Sequence, residues 1–350
     1  MFNKKTVMVI GAGASNEAGL PTGHELKSKI TSLLDFQFDF GQIKKGDSSI
    51  NEALRIHLKN SDRDELARYA RAAWHVRDAM PQAISIDNFI DAHGGDKKIE
   101  LCGKLAIVRS ILQAERHSLL YFDRVRSDRP HPDYKRLEDT WYNKFFQLLT
   151  ENCRVDDLFN RMERVALIVF NYDRCIEQFL FHALQNYYKI SEKEAAELVN
   201  RLEIYHPYGK VGFMPWQRAG EAIEFGMEPS SSQLLSLAAQ IKTFTEGTDP
   251  TSSEVTSIRR SLLDSNIVVF LGFAFHRLNL ELIAPKLDGA VEHKSAACFA
   301  TAKGISSSDC KSLENELREI FGFHQHKLNI RNDLVCKGLF QEYWRGLSLS

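Results

Sequence analysis

At 350 residues, with 43% apolar and 26% charged side chains, the chain has material for one large core or two ordinary ones. Its formal net charge is −1 with both signs interspersed, so the totals make no case for nucleic acid or an anionic membrane surface as a partner. Six cysteines without a C-x-x-C pair read as reduced thiols of a cytoplasmic protein with no metal site, and no stretch approaches the roughly 20 apolar residues of a membrane span.

The first element is the strand Thr6–Ile10, which breaks into Gly11-Ala12-Gly13-Ala14-Ser15 and continues to Gly19-Leu20-Pro21-Thr22-Gly23. A β-rich run followed by small residues and a helix start is the form of a nucleotide-binding turn in an α/β sheet. Small residues let backbone approach a phosphate, and helix-start N–H groups meet its charge. The third glycine of the dinucleotide fingerprint is replaced by Asn16, and no P-loop lysine follows. On these residues alone the turn is either a phosphate cradle or an ordinary strand-to-helix turn.

A helix is expected over Glu25–Leu34 and a loop over Asp35–Ser49. Helical patterns then follow at Asp64–Met80, at a short segment capped by Ser85, and at Lys98–Leu120, Asp139–Leu149 and Val155–Met162. With no strand expected between about 35 and 164, this stretch reads as an all-helical insertion or subdomain. Residues 1–34 and 165–350 then form a doubly wound, parallel, Rossmann-like α/β sheet domain.

The sheet resumes at Ala166–Phe170, followed by Asn171-Tyr172-Asp173 and a helix. Ser191 with Glu194 makes a capping box for a helix over Ser191–Val199. Glu203–Tyr205 is a short strand running into His206-Pro207-Tyr208-Gly209. Helices are expected over Ser232–Phe244 and Glu254–Asp264, with a polar loop, Glu246–Ser253, between them. The run Ile267–Gly272 is the clearest buried strand, with a helix beginning near Asn279. A last parallel strand at Ala296–Ala300, a helix over Ser306–Phe321 and a short strand near Lys327–Ile330 complete the sheet.

Four strands thus end in small or polar residues: Gly11-Ala12-Gly13, Asn171-Tyr172-Asp173, His206-Pro207-Tyr208-Gly209 and Gly272-Phe273-Ala274. Open α/β sheets bind ligands along that edge. Taken singly, each has an ordinary structural use: Asn or Asp as a helix cap, His as a loop residue, Gly as a turn.

In order, G-A-G-A-S with G-L-P downstream, N-Y-D, H-P-Y-G and L-G-F resemble the sirtuin (SIR2) superfamily. They are most similar to its prokaryotic SIR2-like branch of NAD+-cleaving effectors in anti-phage defence. The resemblance spans about residues 5 to 300. It implies that Gly11, Ala12, Gly13, Ala14 and Ser15 hold the NAD+ pyrophosphate, and that Pro21 and Thr22 belong to a loop over the dinucleotide. It places Asn171 at the nicotinamide ribose and the attacking water, and Asp173 beside the carboxamide. His206 becomes the catalytic histidine, and Gly272 and Phe273 fall near the adenosine ribose. The segment Ser85-Ile86-Asp87-Asn88-Phe89 is similar to a recurring stretch of that branch, with Asp87 either facing the pocket or serving as a cap or surface acid.

Deacylase sirtuins carry two C-x-x-C pairs for zinc and Phe-Arg after the G-I-P. This chain has neither, with Thr22-Gly23 at the second position. The expected activity is therefore hydrolysis of NAD+, as substrate, to nicotinamide and ADP-ribose in an abortive-infection effector. The alternatives are an NAD+-dependent protein deacylase or ADP-ribosyltransferase, and a non-catalytic NAD+ or ADP-ribose sensor regulating a partner. The chemistry suits the residue types: an imidazole, of ordinary pKa about 6.5, takes a proton from a ribose hydroxyl or water, and an amide both donates and accepts to fix that water. Lacking a recognisable sensor domain, such an effector is expected to be switched by homo-oligomerisation or by a separately encoded partner, for which the resemblance suggests a HerA-like ATPase.

Overall fold

The computed structural model describes residues 2–40, 42–59, 63–123, 131–217, 219–242, 252–285 and 296–349. Six strands form the main sheet: β1 (Thr6–Ile10), β2 (Val165–Val169), β3 (Glu203–Tyr205), β4 (Ile267–Leu271), β5 (Ala297–Thr301) and β6 (Leu328–Arg331). Their order is β3-β2-β1-β4-β5-β6 and every pairing is parallel. The chain winds outward from β1 to β3, then returns to lay β4 against the other side of β1. That reversal falls at the carboxyl ends of β1 and β4, the position where doubly wound sheets take their ligands.

All five residues of β1, of β2 and of β4 are buried, so the central strands are covered on both faces. Val7, Val9, Ile168 and Phe270 face one side, while Met8, Ile10, Leu167 and Val269 face the other. These continuous apolar runs carry the strand signal, and burial on both faces is why they lack polar alternation.

The helices between β1 and β2 do not form one subdomain. Ile50, Leu54, Val76, Leu105 and Val108, from helices Ser48–His57, Arg63–Ala79 and Lys97–His117, pack with Val7 and Val9. Trp141, Phe145 and Leu158, from helices Trp141–Thr150 and Val155–Met162, pack with Met8 and Ile10 on the opposite face. An apolar stripe states that a helix covers something, not which face of the sheet it covers. Nor is the stretch all-helical: Gln37–Asp39 and Gln42–Lys45 pair as a small antiparallel hairpin where a loop was expected. Its alternation Phe36-Gln37-Phe38-Asp39-Phe40 has the period of a strand, but with Phe38 and Phe40 exposed it buries little.

Helix ends follow their side chains. Ser191 and Glu194 form the expected capping box ahead of Glu192–Arg201, and Ser85 accepts from the Asn88 N–H at 3.1 Å to start Ile86–Ala92. Part of the loop over 246–253 and the end of the helix expected over Ser232–Phe244 lie outside the described residues; the helix is seen over Ser231–Ala238. Among the described residues no helix is long and apolar enough to cross a membrane.

A fully buried ion pair ties the two faces together. Arg174, just before helix Cys175–Tyr188, bonds Glu115 of helix Lys97–His117 through Nη2 (2.5 Å) and Nε (3.1 Å), and both side chains are 0% exposed. Burial pushes the Glu115 carboxyl up, and the Arg174 guanidinium pulls it back. The Gly226 N–H, at 3.0 Å, adds a further donor to the same carboxylate.

Candidate active site at the carboxyl ends of the strands

The turn after β1 and the turn after β4 touch through their glycines. The Gly11 N–H donates to the Leu271 carbonyl at 2.9 Å, and the Gly13 N–H to the Gly272 carbonyl at 3.0 Å. A Cβ on Gly272 would collide with the backbone of Gly13 and Ala14, and its φ of +55° is itself a glycine conformation. The small residues at this point thus let two strand ends meet each other. Three N–H groups expected to face a phosphate are already used, since the Ala14 N–H also bonds the Gly11 carbonyl, at 2.9 Å. What is left toward solvent is the partly exposed crest Ala12-Gly13, where the Ala12 N–H begins a four-residue helix. Gly272→Ala is expected to lower stability by about 1–3 kcal/mol, read from the urea midpoint. A midpoint equal to that of the wild type would show that the turns can separate freely.

Asn16, at the place of the third fingerprint glycine, donates to the Leu20 carbonyl at 3.0 Å and so holds the loop that follows. Pro21 is buried. Thr22 is spent on its own helix, Gly23–Leu33, in a reciprocal capping box with Glu25. Phe273 is also buried, its ring 5.0 Å from that of Phe170.

Asn171 follows β2 and reaches across to the β1 turn. Its Nδ2 donates to the Gly11 carbonyl at 3.0 Å and to Ser15 Oγ at 2.8 Å. Because the Gly11 carbonyl only accepts, the amide orientation is fixed, and Oδ1 is left without a hydrogen bond among the described residues. Ser15 in turn bonds the Asp173 carboxyl, whose Oδ1 also accepts from the Cys175 N–H at 3.1 Å. Burial pushes that carboxyl up, and these donors pull it partly back. Asp173 is 4% exposed and accepts from the first N–H of the Cys175–Tyr188 helix, rather than standing open beside a ligand.

His206 follows β3 and lies against Asn171. Its Nδ1 is 3.3 Å from the Asn171 carbonyl, longer than an ordinary N–H···O bond, while its Nε2 is 3.0 Å from Glu177 Oε1. Glu177, 0% exposed on helix Cys175–Tyr188, also takes Lys210 Nζ at 2.6 Å. Burial alone would raise this carboxyl, but Lys210 and then His206 outweigh it and hold it well below the usual carboxylate range. Glu177 and Lys210 were not anticipated. The available signal was a carboxylate on the inward face of a helix whose neighbours Ile176, Phe179 and Leu180 are all core residues.

Asp87 does reach the strand ends. The Tyr172 hydroxyl donates to Asp87 Oδ1, joining helix Ile86–Ala92 to the turn after β2. Burial raises the Asp87 carboxyl, and the Tyr172 hydroxyl pulls it partly back. The Tyr208 hydroxyl donates to Asn279 Oδ1 at 2.5 Å, joining the turn after β3 to the helix Arg277–Ile283 that follows β4.

The structure therefore brings Gly11, Ser15, Asn171, Asp173, His206 and Gly272 to one edge of the sheet. Pro21, Thr22 and Phe273 lie in the surrounding framework. A surface cleft of about 470 Å³ lies elsewhere, among Gln42, Asn51, Arg55 and Ser231. No group of His, Cys, Asp and Glu among the described residues is arranged to hold a metal ion. No protein-family model and no curated protein matches the chain.

Proposed function

We propose that the chain is an NAD+ glycohydrolase that cleaves the bond between nicotinamide and ribose to give nicotinamide and ADP-ribose. The observation that carries this reading is Asn171: an amide locked by two acceptors, with an unused acceptor oxygen, beside an imidazole and bonded across to the turn after β1, at the switch point of a β3-β2-β1-β4-β5-β6 sheet. The motif order that resembles SIR2-like effectors supports the same substrate.

Nicotinamide leaves as a neutral pyridine, so the leaving group needs no strong acid. The site has to place a nucleophile and stabilise a cationic ribose. Asn171 Oδ1 accepts from the attacking water or a ribose hydroxyl and orients it toward the anomeric carbon. Glu177 holds His206 by Nε2, which leaves Nδ1 as the nitrogen that takes the proton. The Asn171 carbonyl at 3.3 Å then accepts from the protonated Nδ1. The partly exposed Ala12-Gly13 crest receives the pyrophosphate.

In a cell this activity suits an abortive-infection effector of anti-phage defence. Control would come through a homo-oligomer or a separately encoded partner such as a HerA-like ATPase. The test is incubation with NAD+, with and without an acylated peptide, followed by mass analysis of products. Nicotinamide and ADP-ribose in both reactions support hydrolysis. O-acyl-ADP-ribose formed only with peptide identifies a deacylase, and NAD+ bound but uncut identifies a sensor.

A further inference from the structure

An imidazole and a lysine ammonium converge on one buried carboxylate behind the proposed site, and a single turn brings both there. His206 and Lys210 flank Pro207-Tyr208-Gly209. The Gly209 N–H bonds the His206 carbonyl at 2.8 Å, and the Val211 N–H bonds the Tyr172 carbonyl at 3.0 Å. Gly209 has a φ of +72°, and a Cβ there would collide with the Gln240 carbonyl, so the tight return that places Lys210 beside His206 depends on glycine. Glu177 Oε1 meets both, His206 Nε2 at 3.0 Å and Lys210 Nζ at 2.6 Å, while its buried Oε2 has no hydrogen-bond partner among the described residues. Lys210 is fixed further by Gln217 Oε1 at 3.3 Å and by the Phe213 ring at 5.0 Å. Gln217 is itself held by the Met214 N–H at 2.8 Å.

A loop anchor alone would need one cation on one carboxylate. Here the Lys210 ammonium lies on the same carboxylate oxygen that holds the imidazole. We propose that Glu177 is the positioning residue of His206, its carboxylate fixing the ring through Nε2, and that Lys210 orients that carboxylate and balances its charge. The proposal rests on reading His206 as the proton acceptor in NAD+ cleavage. The charged groups around the ring are Glu177 on its helix, Lys210 on the ring's own loop, and Asp173 after β2, whose carboxyl is close enough to Glu177 to be raised by it.

The two partners act on the ring with opposite signs, which separates this role from simple support. Removing the negative charge with Glu177→Gln makes the imidazole easier to deprotonate, so the acid limb of kcat/KM moves to lower pH. Removing the positive charge with Lys210→Met moves it to higher pH. Each shift is expected to be about one pH unit or more, and Lys210→Arg, which keeps the charge, leaves the limb in place. The same displacements are read without substrate by NMR titration of the His206 ring in labelled protein, identified by the signal missing from His206→Ala. Opposite shifts by NMR support the proposal, and they do so even if NAD+ is not cut, an outcome that would sink the functional reading alone. Shifts of the same sign, or none in folded variants, overturn it.

Discussion

Asn171→Ala is expected to bind NAD+ and to release nicotinamide at least about a hundredfold more slowly than the wild type, with His206→Ala falling by about 10²–10⁴. The two losses have different origins. Asn171 supplies an acceptor, Oδ1, whose orientation is set by the two contacts of its Nδ2, to Gly11 and Ser15. Its loss leaves the nucleophile unplaced. In the proposed reaction His206 takes the proton, and its loss also leaves Glu177 with Lys210 as its one remaining hydrogen-bond partner among the described residues. The kinetic signature is a fall in kcat with little change in KM, because neither side chain is asked to hold the pyrophosphate or the adenosine. Turnover like that of the wild type in either variant, with its folding verified by circular dichroism, would contradict the assignment.

The largest stability effect is expected at Arg174, away from the chemistry. Arg174→Ala would strand the Glu115 carboxylate in a fully buried site and free the carbonyl of Ile223, which Arg174 Nη1 bonds at 2.5 Å. Breaking such a pair costs about 3–5 kcal/mol. The urea midpoint should fall accordingly. A double variant, Arg174→Met with Glu115→Leu, should recover much of that loss, since the isolated charge is then gone. A single variant as stable as the wild type would show that water reaches Glu115.

The pair also illustrates what the sequence does and does not carry. Runs such as Val165–Val169 and Ile267–Leu271 are short, β-branched and wholly apolar, so their place in a buried parallel sheet was legible, as were the polar residues at their ends. Ser191 with Glu194 was legible because a capping box is a local pattern. Glu115 and Arg174 are 59 residues apart, and no local rule pairs them. The meeting of Glu177 with Lys210 was hidden for the same reason: it depends on the turn at Gly209 and on strand order. The division of the helices between the two faces of the sheet was hidden because each helix shows only its own stripe.

One expectation changed its physical meaning. Gly11 and Gly13 read as room for a phosphate, and the structure uses them for contact with Gly272. That contact joins β1 to β4 at the point of reversal and leaves Ala12-Gly13 partly exposed, as the surface proposed for the pyrophosphate. Asn16 likewise belongs to the fold, as the residue that closes the loop to Leu20.

The most direct measurement is the crystal structure of the Asn171→Ala protein with NAD+ bound and uncut. The pyrophosphate is expected on the Ala12-Gly13 crest and the anomeric carbon of the nicotinamide ribose within about 4 Å of the space vacated at residue 171, near His206. Dinucleotide bound instead in the cleft lined by Gln42, Arg55 and Ser231, with the strand ends empty, would contradict it.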